Sequence, residues 1–312
     1  MQAPARFAFL VLAASAAAAE RGFTVTERDD RVVITVDGGP FTEYRFKDTP
    51  RPYFYPLLGP GGVPLTRNFP MSADRKDEDQ DHPHHRSLWY AHGDVNGVDF
   101  WADGPQRGRI EHVKVLEARG GADEGVLRTA SRWVKPDGAV LLTDERTFRA
   151  HRAGPGRWFD FTITLTAPPG LDVTLGDTKE GTMAIRLAES MRLKANKHYA
   201  GKPVGTIRQD TGVSGGDTWG KRATWTDYSG PVTDADGRTF GITIYDHPDN
   251  PRYPTWWHVR DYGLFAANPF GVHDFEKQPK GAGDLKIPAG QSVTFKYRFH
   301  LHEGEVATKG WD

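Results

Sequence analysis

Trp158-Phe159-Asp160-Phe161-Thr162-Ile163-Thr164-Leu165 follows after the turn residues Gly154-Pro155-Gly156, and its apolar residues recur at every second position. That period sends Phe159, Phe161, Ile163 and Leu165 to one face of an extended chain and the polar residues to the other, which is the pattern of a half-buried strand. The same reading extends outward. Leu127 to Trp133 and Ala139 to Phe148 are strand-like and are joined through the turn residues Pro136-Asp137-Gly138. Phe240 to Tyr245 and Val293 to His302 add two more runs. Upstream, Thr24 to Glu27 and Val32 to Val36 flank Asp29-Asp30, and Phe41 to Phe46 follows Gly38-Gly39-Pro40, predicting three short antiparallel strands. With 35 glycines and 22 prolines, long helices have little room. The window from Ala184 to Ala195 reads equally as short helix or strand. No repeat, low-complexity tract or linker interrupts the chain. The expected fold class is all-β, a large antiparallel β-sandwich formed as one domain by residues 20–312.

Met1 to Ala19 has the three parts of a secretory signal: Arg6 as a basic start, Phe7 to Ala13 as the apolar stretch, and Ala17-Ala18-Ala19 as a small-residue cleavage site. A periplasmic or extracellular location is therefore expected. The absence of cysteine suits an oxidising compartment, and packing alone must hold the fold. The 40 basic and 41 acidic residues nearly cancel, so no field recruits a polyanion, and neither nucleic acid nor a membrane is an expected partner. No later segment is long and apolar enough to span a bilayer.

Three segments carry chemistry. In the first, Asp81 to Trp101, four of the twelve histidines (His82, His84, His85 and His92) lie within eleven residues, with Arg86, Asp94, Trp89 and Trp101 among them. It is read as a loop leading into or out of a strand. An acid/base site would use a histidine beside a carboxylate, with Arg86 holding an anionic oxygen. A metal site would use His82, His84 and His92, although no zinc spacing is present. A polar loop whose histidines bond to backbone is the third reading. The second segment, Gly176-Asp177-Thr178-Lys179-Glu180-Gly181, is either a charged hairpin or a bend that presents Glu180 as acid or base, tuned by Asp177 and Lys179. The third, Asn250 to Gly271, alternates aromatic rings with His258, Arg260, Asp261 and Asn268, a mixture suited to stacking on sugar faces and bonding hydroxyls. Trp256 and Trp257 either line a cleft or pack inside. Period two puts His258 and Arg260 on one face, opposite Trp257 and Val259.

At these motifs the chain resembles the PmoA-like family of secreted bacterial proteins, labelled "methane oxygenase PmoA" and otherwise of unknown function. The matching residues are His82 to Arg86 with Trp89, His92 to Trp101, Asp177 to Gly181, Trp225 to Gly230, and Pro254 to Gly271; Ser87 and Thr182-Met183-Ala184 depart from the pattern. Methane oxidation is rejected, because a methane monooxygenase subunit spans the membrane with several helices. The resemblance implies a supersandwich similar to galactose mutarotases, which handle sugars with His, Asp and Glu on one concave face.

The expected function is acid/base chemistry on a sugar or keto-sugar, of epimerase, lyase or hydrolase type, without a cofactor. His84, His92, Glu180 and His258 are the catalytic candidates. His82, His85, Arg86, Trp89, Asp94, Asp177, Lys179, Trp256, Trp257, Arg260 and Asn268 are the candidates for binding a small-molecule or oligosaccharide substrate. A non-catalytic glycan-binding sandwich and a histidine-ligated metal enzyme are the alternatives.

Overall fold

A computed structural model describes residues 21–304, 306 and 311, so the expected signal segment lies outside the described residues. Two antiparallel eight-stranded sheets dominate, with a small pair, Val173–Leu175 and Leu285–Ile287, beside them. In spatial order the first sheet is Phe23–Glu27, Arg31–Val36, Gly39–Arg45, Tyr53–Phe54, Leu88–His92, Gly181–Arg186, Leu264–Asn268 and Trp256–Val259. The second is Thr206–Gln209, Trp225–Pro231, Thr239–Asp246, Ser292–Glu303, Arg157–Thr166, Val140–His151, Glu124–Val134 and Arg109–Arg119.

The alternating runs build the second sheet as expected. Arg157–Thr166 is buried at every second residue beyond Trp158, and its neighbour Val140–His151 alternates in the same way. Inward rings of the second sheet meet those of the first: Phe148 stacks on Phe54 with centroids 4.8 Å apart, Phe41 meets Phe148 at 5.9 Å, and Trp133, on Glu124–Val134, meets Tyr90 at 6.4 Å. Each fully buried ring of this kind contributes roughly 1.5–3 kcal/mol.

The central strands of the first sheet are different. Leu88–His92, Gly181–Arg186, Trp256–Val259 and Leu264–Asn268 are buried at every position. One face of these strands packs on the second sheet, and loops cover the other. Leu88–His92 is thus a strand inside the histidine segment. The ambiguous window resolves into a strand ending at Arg186 and a short turn, Glu189–Met191. Asp177 to Glu180 is a connecting bend and not a hairpin, because the strands on either side pair with different partners.

Candidate active site

Register places the site. Directly opposed residues on neighbouring strands share a face, and His258 opposes Ala266, Ala266 opposes Ala184, and Ala184 opposes Trp89. This row lies on the loop-covered face. Trp257, one residue from His258, points the other way and is fully buried against Phe265. With only methyl groups between the imidazole and the indole, the sheet surface stays low and loops settle over it. Between them is a cleft of about 490 Å³ lined by His82, His84, His85, Asp99, Trp101, Ala102, Lys179, Glu180, His258, Arg260 and Tyr262. All three sequence segments contribute to it.

His258 has a defined tautomer. Its Nδ1 lies 2.5 Å from the Lys179 carbonyl oxygen, which can only accept, so Nδ1 carries the proton and Nε2 keeps its lone pair. Burial pushes its pKa down to about 4, the Lys179 carbonyl opposes this, and the Arg260 charge lowers it further. The imidazole is therefore neutral at pH 7, a base with one open nitrogen. The bend that supplies the carbonyl is itself held. Asn268 Nδ2 donates to the Thr178 and Lys179 carbonyls at 3.0 and 2.9 Å, and the Lys179 N–H donates to Asp274 at 2.9 Å. Asp177 accepts the His273 and Gly283 N–H groups at 3.0 and 2.9 Å, tying the bend to the segment beneath Phe270. Glu180 is half-buried, 3.2 Å from Lys179 Nζ. Glycine is required opposite it, since a methyl group on Gly93 would stand 2.7 Å from Glu180 Cβ.

The facing wall hangs from buried arginines. The fully buried Arg67 donates to the Phe69, Asp79, Asp81 and His82 carbonyls at 2.9–3.2 Å and to the Asp81 carboxylate. Arg51, equally buried, reaches the His84, Phe100 and Ala102 carbonyls at 3.1–3.2 Å and pairs with Asp103 at 2.8 Å. Arg186 donates to Asp81 Oδ1 at 2.9 Å and to His85 Nδ1 at 3.3 Å, so His85 presents its Nε2–H. His82 gives its Nδ1 proton to Asp81 at 2.7 Å. Tyr262, His82, His85 and Trp89 form a continuous stack, with centroids 5.2, 4.8 and 5.3 Å apart. His84 lies edge-on to His85, and burial with the Arg51 charge pushes its pKa down to about 4.

Other candidates lie elsewhere. His92 sits beneath the cleft, its Nε2 donating to the Gly176 carbonyl at 2.8 Å and its ring against Phe270. It is not grouped with His82 and His84, and among the described residues no three His, Asp or Glu side chains are arranged to hold a metal ion. Arg86 turns away to Asp103 at 2.9 Å, under Tyr53. Asp94 caps the turn at Gly97, and Trp89 is buried behind His85. Asp177 and Asn268 brace the bend without lining the cleft. Trp256 bonds Glu276 beneath Arg222, and Trp257 donates to the Ala223 carbonyl in the core. Of the aromatic rings, Trp101 and Tyr262 line the cleft, and Trp256 and Trp257 do not. Tyr262 and the supporting Arg51, Arg67 and Arg186 were not singled out by spacing. Arg51 and Arg67 sit in ordinary Pro-rich runs, and only the folded chain shows what they grip.

No helix among the described residues is long and apolar enough to cross a membrane. No curated protein matches the chain. Among solved structures, an alpha-galactosidase from Lactobacillus brevis is similar with a TM-score of 0.40 and 9% identity, over 90% of this chain and 39% of that one. A Glycoside Hydrolase Family 97 enzyme from Pseudoalteromonas sp. strain K8 has a TM-score of 0.33 and 12% identity, over 91% and 34%. A galactose mutarotase related enzyme from Lactobacillus acidophilus has 0.27 and 8%, over 91% and 100%. The chain thus spans about two-fifths or less of the first two, and likenesses of this strength carry no functional weight. Residues 31–311 match the family described as "Family of unknown function (DUF6807)", and the chain belongs to that family.

Proposed function

We propose that the cleft is the active site of a carbohydrate-active enzyme that moves protons on a sugar or keto-sugar. The observation that carries this reading is His258: a neutral imidazole whose proton is fixed on Nδ1, with Nε2 open in a cleft that also holds Glu180, three further histidines and two aromatic rings. Nε2 is the proton acceptor. The Tyr262 hydroxyl, whose pKa is raised by burial, remains protonated at neutral pH and is the donor, as is the Nε2–H of His85. Trp101 gives the ring on which the C–H face of a sugar stacks, while the Tyr262 ring, stacked on His82 and beneath Arg260, presents its hydroxyl. Export through the segment Met1 to Ala19 and the resemblance to the PmoA-like family belong to the same proposal.

Calorimetric titration with a panel of plant and algal oligosaccharides, coupled to product analysis, tests this. Binding that Trp101→Ala weakens, together with a new product from the bound sugar, is the expected result. Binding without any product would favour a glycan-binding protein, and no binding across the panel would remove the sugar reading.

A further inference from the structure

The charges of the cleft do not balance. Glu180 has Lys179 at 3.2 Å and Asp99 has Arg107 at 3.0 Å, so both lining carboxylates are paired. The arginines behind the walls are paired too: Arg51 and Arg86 with Asp103, and Arg67 and Arg186 with Asp81. Arg260 lines the cleft half-buried, yet among the described residues its guanidinium has no carboxylate and no hydrogen-bond acceptor. Its contacts are the faces of Trp219 and Tyr262, each 5.7 Å away. Rings on which a guanidinium rests steady its plane and leave its N–H edge free, and that edge matches a carboxylate with two parallel hydrogen bonds. A partly desolvated cation without a counter-ion is costly unless a ligand supplies one.

We propose that the sugar bound here carries a carboxylate on a ring carbon, as a uronic acid does, and that Arg260 is its counter-ion. This rests on the sugar-binding reading of the cleft. A carboxylate there also completes the proton chemistry. The C–H bond beside the carboxylate breaks and its proton goes to His258 Nε2, while the electron pair moves into the carboxylate as an enolate whose charge Arg260 shares. The pair then either takes the Tyr262 proton on the opposite face, inverting that carbon, or forms a C=C bond as the neighbouring C–O bond breaks and the leaving oxygen takes the Tyr262 proton. Neither route needs an oxidant or reductant.

The test is calorimetry with tetrasaccharides of galacturonic, glucuronic and mannuronic acid, each beside the same tetrasaccharide with its carboxyl groups reduced to alcohols. The intact chain should bind at least one acid form about tenfold to a hundredfold more tightly than its reduced twin, the range of a lost charge-assisted hydrogen bond. Arg260→Gln should abolish that preference by weakening the acid form far more than the reduced form, and Arg260→Lys should restore part of it; thermal melts check that both variants fold. Equal binding of acid and reduced forms overturns the carboxylate proposal while the sugar site stands. A preference that survives in Arg260→Gln overturns the assignment to Arg260. Binding of neither form overturns this proposal, and the sugar reading then stands or falls with the wider oligosaccharide panel.

Discussion

Replacing His258 by alanine is expected to lower turnover of the sugar that the cleft binds by about a hundredfold to ten-thousandfold, the range for loss of a positioned general base. Affinity should change far less, because the residue's part is to take a proton and not to hold the substrate. The bend should also survive. The Lys179 carbonyl that loses the imidazole keeps Asn268 Nδ2 at 2.9 Å, and the Lys179 N–H keeps Asp274. Added imidazole should restore part of the rate by occupying the space vacated. A His258→Ala variant that folds and turns over at the wild-type rate would remove the assignment.

Arg67→Met should destabilise the chain by about 3–5 kcal/mol, the loss expected when one member of a buried ionic network is removed. Its side chain is fully buried, and the Phe69, Asp79, Asp81 and His82 carbonyls that it serves would be left with fewer donors. Asp81 would retain Arg186 and His82, which limits the damage to its carboxylate. A control separates this from a general effect of losing an arginine. Arg109 is half exposed and pairs with Glu111 at 3.0 Å, and Arg109→Met should cost under about 1 kcal/mol. Denaturant unfolding of both variants gives the comparison. If Arg67→Met proves no worse than Arg109→Met, the arginine grip is not what fixes the histidine wall.

The second sheet was legible in the sequence because one of its faces meets solvent, so burial is written into the chain as alternation. Arg157–Thr166 and Val140–His151 show this residue by residue. The strand Leu88–His92 was hidden for the opposite reason. It is covered on both faces, so Trp89, facing the loops, is as buried as Tyr90, facing the core, and no period marks it. The site divides in the same way. The opposition of His258 and Arg260 to Trp257 and Val259 followed from the pleat of an extended chain, and the cleft contains the first pair while the core contains the second. Tryptophans 256 and 257 stay open between cleft and core in the sequence because an indole looks alike there whether it faces a ligand or, like Trp257, the core. The separation of His92 from the other three clustered histidines is not written in their spacing, because the end of its strand turns it toward the Gly176 carbonyl. The buried arginines had no signature, since their carbonyl partners are set by loop path alone.

Folding fixes His258 as a neutral base with its open nitrogen in the shared cleft. Imidazole nitrogen NMR across a pH titration measures this directly. His258 should give a signal protonated on Nδ1 alone from about pH 8 down to about pH 5, because burial depresses its pKa from the ordinary 6.5 to about 4. The open Nε2 should then shift when a bound sugar enters. A His258 that titrates near 6.5, or that carries its proton on Nε2, would rule out its role as a preset neutral base.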